Sequence, residues 1–472
     1  MHKAQTHYLV GIKGVAMTAL AQVLSDAGHR VLGSDVQETF VTDPMLQRLG
    51  ITIDDFSSVL PPEVDLVIYT AAHQASLHPQ VQAAAARGIP TLSHAQALAE
   101  WFNQKKGIAV CGVGGKSTIS AMISWILEQA QQHPSYAVGV GDIIGLGKTG
   151  KWDEEGSLFV AEADEYVTDP IAVQNGAELI PRFQYLKPRI TVASTISFDH
   201  PDVYKDEAHT RNVFTHWFKN LPADGILISS DENRSWLEQQ QLAANIIWYG
   251  SAVSSDFRLK ETPTVIERTS TAQIEAHSQP YGLSLKVPGT YNMHNALAAL
   301  SAVEQVGISV AESIRHLATF SSTKRRFEYV GRFNGVECYD DYAHHPREIA
   351  VVLEAARQWF GSARIVVAFQ PHTFSRTKAL FDEFVSVLGT APELVLLDIF
   401  ASAREVVDPS ISSDRLNEAL TRAHPEHAVQ NLHTIAELAA YCQKNLRPGD
   451  VLLTLGAGDI YKVYAELGVT HE

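Results

Sequence analysis

The chain is expected to be α/β throughout, folding as three consecutive α/β domains: Rossmann-like, then central with a phosphate-binding loop, then Rossmann-like again. Three observations predict this. Short apolar runs of strand length alternate with helix-period segments along nearly the whole chain. Glycine turns follow the first strands of the first and second sections, at Gly11–Gly14 and Gly112–Gly115. The length of 472 residues suits about three domains of ~150 residues.

The first section, 1–105, opens with a strand at His7-Tyr8-Leu9-Val10, a turn through Gly11, Lys13 and Gly14, and a helix through Leu24. A second strand around Val31-Leu32 ends at Ser34-Asp35, and a third, Leu66-Val67-Ile68-Tyr69, ends at Thr70-Ala71-Ala72. A glycine turn after the first strand and an acid after the second form a Rossmann-like unit, whose ligand on this evidence is either a dinucleotide or a UDP-sugar. Lys13 stands where such turns usually carry glycine, and Ala16 takes the last small position. Trp101 to Gly107, polar and basic, reads as a linker.

The central section, 106–322, begins with the strand Ile108-Ala109-Val110-Cys111 and the loop Gly112-Val113-Gly114-Gly115-Lys116-Ser117-Thr118. Ile119, Met122, Ile123, Ile126 and Leu127 then fall on one face of a helix. Strand, glycine turn, Lys-Ser-Thr and helix is an arrangement that binds nucleotide phosphates. Backbone N–H groups and a helix N-terminus face the anion, Lys116 reaches the outer phosphates, and the Ser117 hydroxyl suits Mg²⁺. Val110 stands five residues before Gly115, so the loop is shorter than the general GxxxxGK[ST] pattern; the competing reading is an ordinary turn with a solvated lysine. Gly139 to Gly150 reads as a mobile loop.

The last section, 323–472, starts at Thr323-Lys324-Arg325-Arg326 and alternates again, with strands at Ile365–Phe369, Leu394–Leu397 and Val451–Thr454. The net charge of −16 argues against a nucleic-acid or anionic-membrane partner, though not against an anionic small substrate in a locally basic cleft. Cys111, Cys338 and Cys442 are too few and too scattered for a zinc site or a disulfide framework, and suit a reducing cytoplasm. No run approaches the ~18 apolar residues of a membrane span, and the N-terminus lacks a signal-peptide core, so a soluble cytoplasmic protein is expected.

Polar clusters occur in order along the chain: Ala161-Glu162-Ala163-Asp164-Glu165-Tyr166, Phe198-Asp199-His200-Pro201-Asp202, Pro288-Gly289-Thr290-Tyr291-Asn292-Met293-His294-Asn295, Arg325-Arg326-Phe327-Glu328, Asp340-Asp341-Tyr342-Ala343-His344-His345-Pro346, and Phe369-Gln370-Pro371-His372-Thr373-Phe374-Ser375-Arg376-Thr377, followed by Ser402-Ala403-Arg404-Glu405. In this order, and over essentially the whole chain, they resemble the Mur ligases, ATP-dependent amide-forming enzymes of peptidoglycan synthesis. DDYAHHP and FQPHTFSRT resemble the alanine-adding branch. The resemblance implies that Gly112, Gly115, Lys116 and Thr118 cradle ATP phosphates, and that Ser117, Glu162 and His200 hold Mg²⁺. It implies that Asn292 and Asn295 contact adenine, Arg326 the γ-phosphate and Asp341 the ribose. Gly11, Gly14, Ser34 and Asp35 would border the diphosphate of UDP-N-acetylmuramate. Tyr342, His344, His345 and Arg376 would line the L-alanine pocket and reacting centre, with Lys116, Arg326, His344 and His345 as the catalytic set. Monomer and homodimer both remain open.

Departures from the family pattern are Val113 and Gly114 in the loop, Thr195 for an asparagine, Tyr291 for a histidine, and extra length between Glu165 and Phe183. The rival readings are a family ligase that attaches a peptide to the same UDP-sugar, a nicotinamide-dependent dehydrogenase, and a non-catalytic nucleotide binder.

Overall fold

A computed structural model of the chain describes residues 4–470 apart from 201, 402–404, 406 and 428. Of the motifs above, Pro201 and Ser402 to Arg404 therefore lie outside the described residues. Three β-sheets follow one another in chain order, with helices between their strands, giving the expected α/β class.

The first sheet has five parallel strands in the order Ile53–Asp55, Arg30–Asp35, Thr6–Val10, Leu66–Tyr69, Thr91–Ser93. Strand order reverses between Thr6–Val10 and Leu66–Tyr69, so the crevice of this doubly wound sheet opens at Gly11 and Thr70. In the second sheet, parallel pairing runs through Ser135–Ala137, Leu158–Glu162, Lys106–Cys111, Ile190–Ala193, Ile226–Ser230, Asn245–Gly250 and Phe257–Leu259. Its register sets Val110 opposite Glu162 and Cys111 opposite Ala193. The lysine loop, Glu162 and Ser194 consequently lie together at the C-terminal ends of three neighbouring strands.

Contacts divide the chain into two compact units. One comprises residues through Thr262, Ala272–Leu285 and Met293–Ser321; the other comprises Pro263–Thr271, Lys286–Asn292 and the described residues from Ser322 on. In the first unit the two sheets share an apolar core. Leu20, Val23 and Leu24 of the helix Val15–Asp26 join Trp101, Phe102, Ala109, Phe159 and Ala161 in it.

The stretch 101–107 is not the expected linker, since a helix and a strand take up most of it. Trp101 and Phe102 close the helix His94–Phe102, which a Ser93–Gln96 capping box opens, and the next strand starts at Lys106. Phe102 packs edge-on against Phe159 at 5.6 Å, and the Lys105 ammonium donates to Ser135 Oγ and the Gly156 carbonyl while lying over the Trp152 ring. The polar letters mark a short turn; the aromatic pair before them belongs to the core. The glycine-rich stretch 139–150 also has fixed partners. Gln22 accepts from the Thr149 N–H and donates to its hydroxyl, and Lys148 pairs with Asp26 at 3.0 Å. The extra length after Glu165 folds into a short helix, Pro170–Gln174. Its cap, Asp169, accepts from Ala172 N–H and, at 2.5 Å, from the Ser76 hydroxyl.

The second unit carries the sheet Glu328–Phe333, Val336–Asp341, Val451–Leu455, Ile365–Phe369, Leu394–Leu396, Val429–Asn431, in that order. The first pair is antiparallel and the rest parallel. One apolar core lies around Phe327, Trp359, Phe360 and Phe384, and another around Cys338, Leu438 and Cys442. Arg268, from the 263–271 segment, lies over Phe360 at 4.7 Å and pairs with Glu337. The three cysteines are buried and unpaired. Among the described residues no helix is long and apolar enough to cross a membrane.

Because Phe102 is fully buried where the two sheets of the first unit share their core, Phe102→Ala should cost about 3–5 kcal/mol. Urea unfolding followed by tryptophan fluorescence would measure the loss.

Candidate active site

The loop after strand Lys106–Cys111 is shaped by what lies behind it. Gly112 has φ +108°, and a Cβ there would come within 2.4 Å of Ser194 Oγ, so both conformation and space demand glycine. The Ser194 hydroxyl donates to the Gly114 carbonyl at 2.7 Å, and Val113 N–H donates to the Thr195 carbonyl at 2.8 Å. Helix Lys116–Gln129 begins immediately after Gly115 with Ser117 and Thr118 in its first turn. Its unpaired N-terminal N–H groups and dipole make an anion seat.

An acidic cluster stands beside this seat. Glu162, at the end of its strand, accepts from the Ser117 hydroxyl at 3.1 Å and from Gly139 N–H at 2.6 Å. The Lys116 ammonium donates to both oxygens of Glu165, at 2.9 and 2.7 Å, and to the Gly112 carbonyl at 2.8 Å. Glu165 is only 2 % exposed. Burial alone would favour neutral Lys116, but Glu165 and the neighbouring acids outweigh it and hold the ammonium well above its ordinary pKa. His200, at φ +57°, brings Nε2 to 3.5 Å from Glu165, with its ring against Tyr166. Burial opposes its protonation, yet Glu165 and Asp199 raise its pKa. Asp164 is held by Arg182 at 2.5 Å.

Among the described residues no three His, Cys, Asp or Glu side chains form a ready metal cluster. The donors at the lysine loop nonetheless suit a hard cation: a hydroxyl and a carboxylate oxygen 3.1 Å apart, at the mouth of a phosphate seat. His200 reaches the same cluster through Glu165.

Asn295 sits on the other side of the loop. A Cβ on Gly115 would lie 2.7 Å from Asn295 Oδ1, and one residue earlier His294 Nε2 meets Ser251 Oγ at 3.0 Å.

In the first sheet, Gly11 turns at φ +82° with its Cα against Thr70, where a Cβ would come to 2.5 Å. Gly14 has ordinary φ and serves as the N-cap of helix Val15–Asp26. The buried Asp35 carboxylate accepts from Lys13 N–H and Val36 N–H, at 2.7 and 2.8 Å. The Lys13 ammonium reaches the carbonyls of Val36 and Glu38. Lys13 therefore staples the turn to the loop after the second strand, which explains a lysine in a glycine position. Ser34 is fully buried, and its hydroxyl donates to Gln80 at 2.5 Å.

The second unit assembles its own set. Arg325 is buried against Asp340 at 2.9 Å, donates to the carbonyls of Gly456 and Gly458, and lies over the rings of Tyr342 and Tyr461. Arg326 also lies over the Tyr342 ring, at 5.2 Å. The Asp341 carboxylate accepts from Phe327 N–H and Ala343 N–H, both at 2.7 Å. Burial raises its pKa to about 6, with Arg326 and the two N–H groups pulling the other way. Tyr291 shares these surroundings, and Asn292 donates to the Pro288 carbonyl at 2.7 Å. His344 Nδ1 meets the Tyr342 carbonyl at 2.9 Å, and its ring stands edge-on to His372. His345 Nδ1 accepts from Arg347 N–H as the cap of helix Pro346–Phe360, in a capping box with Glu348. Arg376 is 7 % exposed on the helix Phe374–Ala379 and donates to the His372 carbonyl. Glu405 accepts from Phe374 N–H at the start of that helix.

Three family models cover the chain: "Mur ligase family, catalytic domain" at residues 6–106, "Mur ligase middle domain" at 110–303, and "Mur ligase, glutamate ligase domain" at 325–458. The chain is 36 % identical to a UDP-N-acetylmuramate–L-alanine ligase of Desulfitobacterium hafniense, over 97 % of this chain and 98 % of that one. It belongs to the Mur ligase family. The same fold occurs in UDP-N-acetylmuramate-alanine ligase of Thermotoga maritima (TM-score 0.80, 23 % identity, 99 % and 98 % of the two chains). It occurs too in a murein peptide ligase of Psychrobacter arcticus (TM-score 0.70, 22 % identity, 98 % of each chain).

In this Mur ligase, Gly112, Gly115, Lys116, Ser117, Thr118, Glu162, His200 and Asn295 gather in the first unit. Tyr291, Asn292, Arg326, Asp341, Tyr342 and His344 gather in the second. Family membership sets aside the dehydrogenase reading. Sequence reasoning assigned no site role to Glu165, Gly139, Ser194 or Lys13. Glu165 carried a signal, as the third acid of Glu162-Ala163-Asp164-Glu165, and so did Lys13, as a lysine in a glycine position.

Asp341 yields a pH test. Its pKa is higher folded than unfolded, so the stability it contributes is complete below about pH 4 and is lost as pH rises through about 6. Asp341→Asn should flatten this part of the decline between pH 4 and 6, checked by urea midpoints measured across that range.

Proposed function

We propose that this Mur ligase uses ATP to join L-alanine to the lactyl carboxylate of UDP-N-acetylmuramate. The observation that carries this reading is the convergence of Lys116, Ser117 and Glu162 on one anion seat. Full-length similarity to a named L-alanine ligase supports the choice of amino acid. In this reading residues 1–105 hold the UDP-sugar, 106–322 the ATP and 323–472 the amino acid. The reaction belongs in the cytoplasm, where ATP and nucleotide sugars are found.

Amide formation requires a better leaving group than oxide. The lactyl carboxylate attacks the γ-phosphorus, ADP leaves, and an acyl phosphate forms; the alanine amine then displaces phosphate. Negative charge crowds the first step. Lys116 and Arg326 offset it, and the loop N–H groups fix the phosphates. Ser117 and Glu162 would hold Mg²⁺, with His200 for a second ion, and bound metal would add further positive charge there. Asn295, seated against Gly115, and Asn292 would meet the adenine edge with paired donor and acceptor groups.

The incoming amine must shed a proton. Because His344 Nδ1 faces a carbonyl, it carries the hydrogen, and Nε2 becomes the basic nitrogen of the neutral ring. His345 has its Nδ1 engaged as a helix cap, so of the two His344 is the better base and His345 the positioning partner. Arg376 would pair with the alanine carboxylate, for which a guanidinium offers two parallel N–H donors.

Lys116→Ala should reduce phosphate release with UDP-N-acetylmuramate, ATP, Mg²⁺ and L-alanine by more than about 100-fold, leaving UDP-N-acetylmuramate binding intact. Near-normal turnover would remove Lys116 from the chemistry. Arg376→Ala should raise the KM for L-alanine at least about tenfold, in the same assay with glycine and serine as comparison substrates.

A further inference from the structure

We propose that Glu165 is a positioning residue that keeps the Lys116 ammonium in register while the phosphate seat is empty, then yields it to the nucleotide and recaptures it as ADP leaves. The inference rests on the phosphate-binding reading of the Gly112–Thr118 loop and goes beyond it, because it concerns how the lysine is held between turnovers.

An ammonium has three N–H donors. Here they face the Gly112 carbonyl and the two oxygens of Glu165, with distances of 2.8, 2.9 and 2.7 Å. A phosphate oxygen can bond to Lys116 only by replacing one of these acceptors. The Gly112 carbonyl belongs to the loop itself, so the replaceable acceptor is the carboxylate.

Glu165 is built to take that part. Its backbone carbonyl accepts from the Tyr204 hydroxyl at 2.5 Å, which anchors the chain beneath the side chain. Its side chain is buried, so without Lys116 it would need another positive neighbour, and His200 Nε2 stands 3.5 Å away. The adjacent Asp164 is already occupied by Arg182 and Glu162 by Ser117 and Gly139, which leaves Glu165 as the acid directed at the lysine. A carboxylate here both competes with a phosphate for one cation and repels it. Each effect weakens nucleotide binding and favours release.

The test is titration calorimetry of the full chain with ADP and Mg²⁺, on wild type, E165Q, K116A and the double variant, with thermal melts for each. E165Q keeps the shape of the side chain but removes its charge. It should bind ADP about tenfold more tightly, the scale of one charge-assisted hydrogen bond, and lower the KM for ATP in parallel. In the K116A background the same substitution should change ADP affinity by less than about threefold, since the shared cation is gone. A residue that only supported the fold would lower the melting temperature and would not tighten binding. Unchanged or weaker ADP binding by a folded E165Q overturns the proposal, as does an equal gain in both backgrounds. If E165Q does not fold, E165D carries the test. Its carboxylate is withdrawn by one methylene, so a gain of about threefold supports the proposal, and no gain overturns it. If wild type itself binds no ADP, the reading of the loop falls and this inference with it. If wild type binds and neither variant tightens, only the role of Glu165 falls.

Discussion

A lysine folded beneath a glycine loop loses most of its contact with water, and a counter-charge buried beside it holds it in the charged form. In this chain that partner is Glu165, bonded through both oxygens to Lys116. Much of the surrounding arrangement follows from the pair. Arg182 neutralises Asp164, His200 leans towards the same carboxylate, and Tyr204 fixes the backbone below it. The result is a compact group of alternating charges at the C-terminal ends of interior strands of the second sheet, in a protein whose overall charge is −16. In a chain of that charge a seat for an anion has to be local, and the loop N–H groups, the helix N-terminus and the lysine form one.

The parallel register of the second sheet puts these groups within reach of one another. With Val110 opposite Glu162 and Cys111 opposite Ala193, three segments distant in sequence end side by side. Ser194 then props the loop from behind, and Asn295 closes against Gly115. In the second unit Asp341 has the corresponding place at the end of its strand, but its carboxylate is taken up by two backbone N–H groups. It organises the chain around Arg326 and Tyr342 as much as it offers a contact to a ligand.

What could be read from sequence was whatever has a local pattern. The strand before Gly112 and those of the last section are short apolar runs, the helix after Gly115 is periodic, and each occurs where its pattern points. Ile53–Asp55 and Thr91–Ser93 are three residues long and incompletely buried, so they leave almost no apolar signature. Trp101 and Phe102 were obscured by the polar residues after them, since what decides their place is a partner, Phe159, far along the chain. The same holds at the site. Lys116, Ser117 and Glu162 belong to recognisable strings, whereas the link between Lys116 and Glu165 spans 49 residues and exists only in three dimensions.

The common core of the first two sheets bears on how the molecule can be dissected. Helix Val15–Asp26 buries its apolar side among residues contributed by both sheets, and Gln22 completes its polar contacts with Thr149. A fragment ending at residue 105 would expose Trp101, Phe102 and the inner side of that helix to solvent, a sticky surface prone to self-association. The smallest piece of the N-terminal sheet able to stand alone therefore extends well into the neighbouring sheet, and recombining this segment with that of a relative would require exchanging both sides of the seam together.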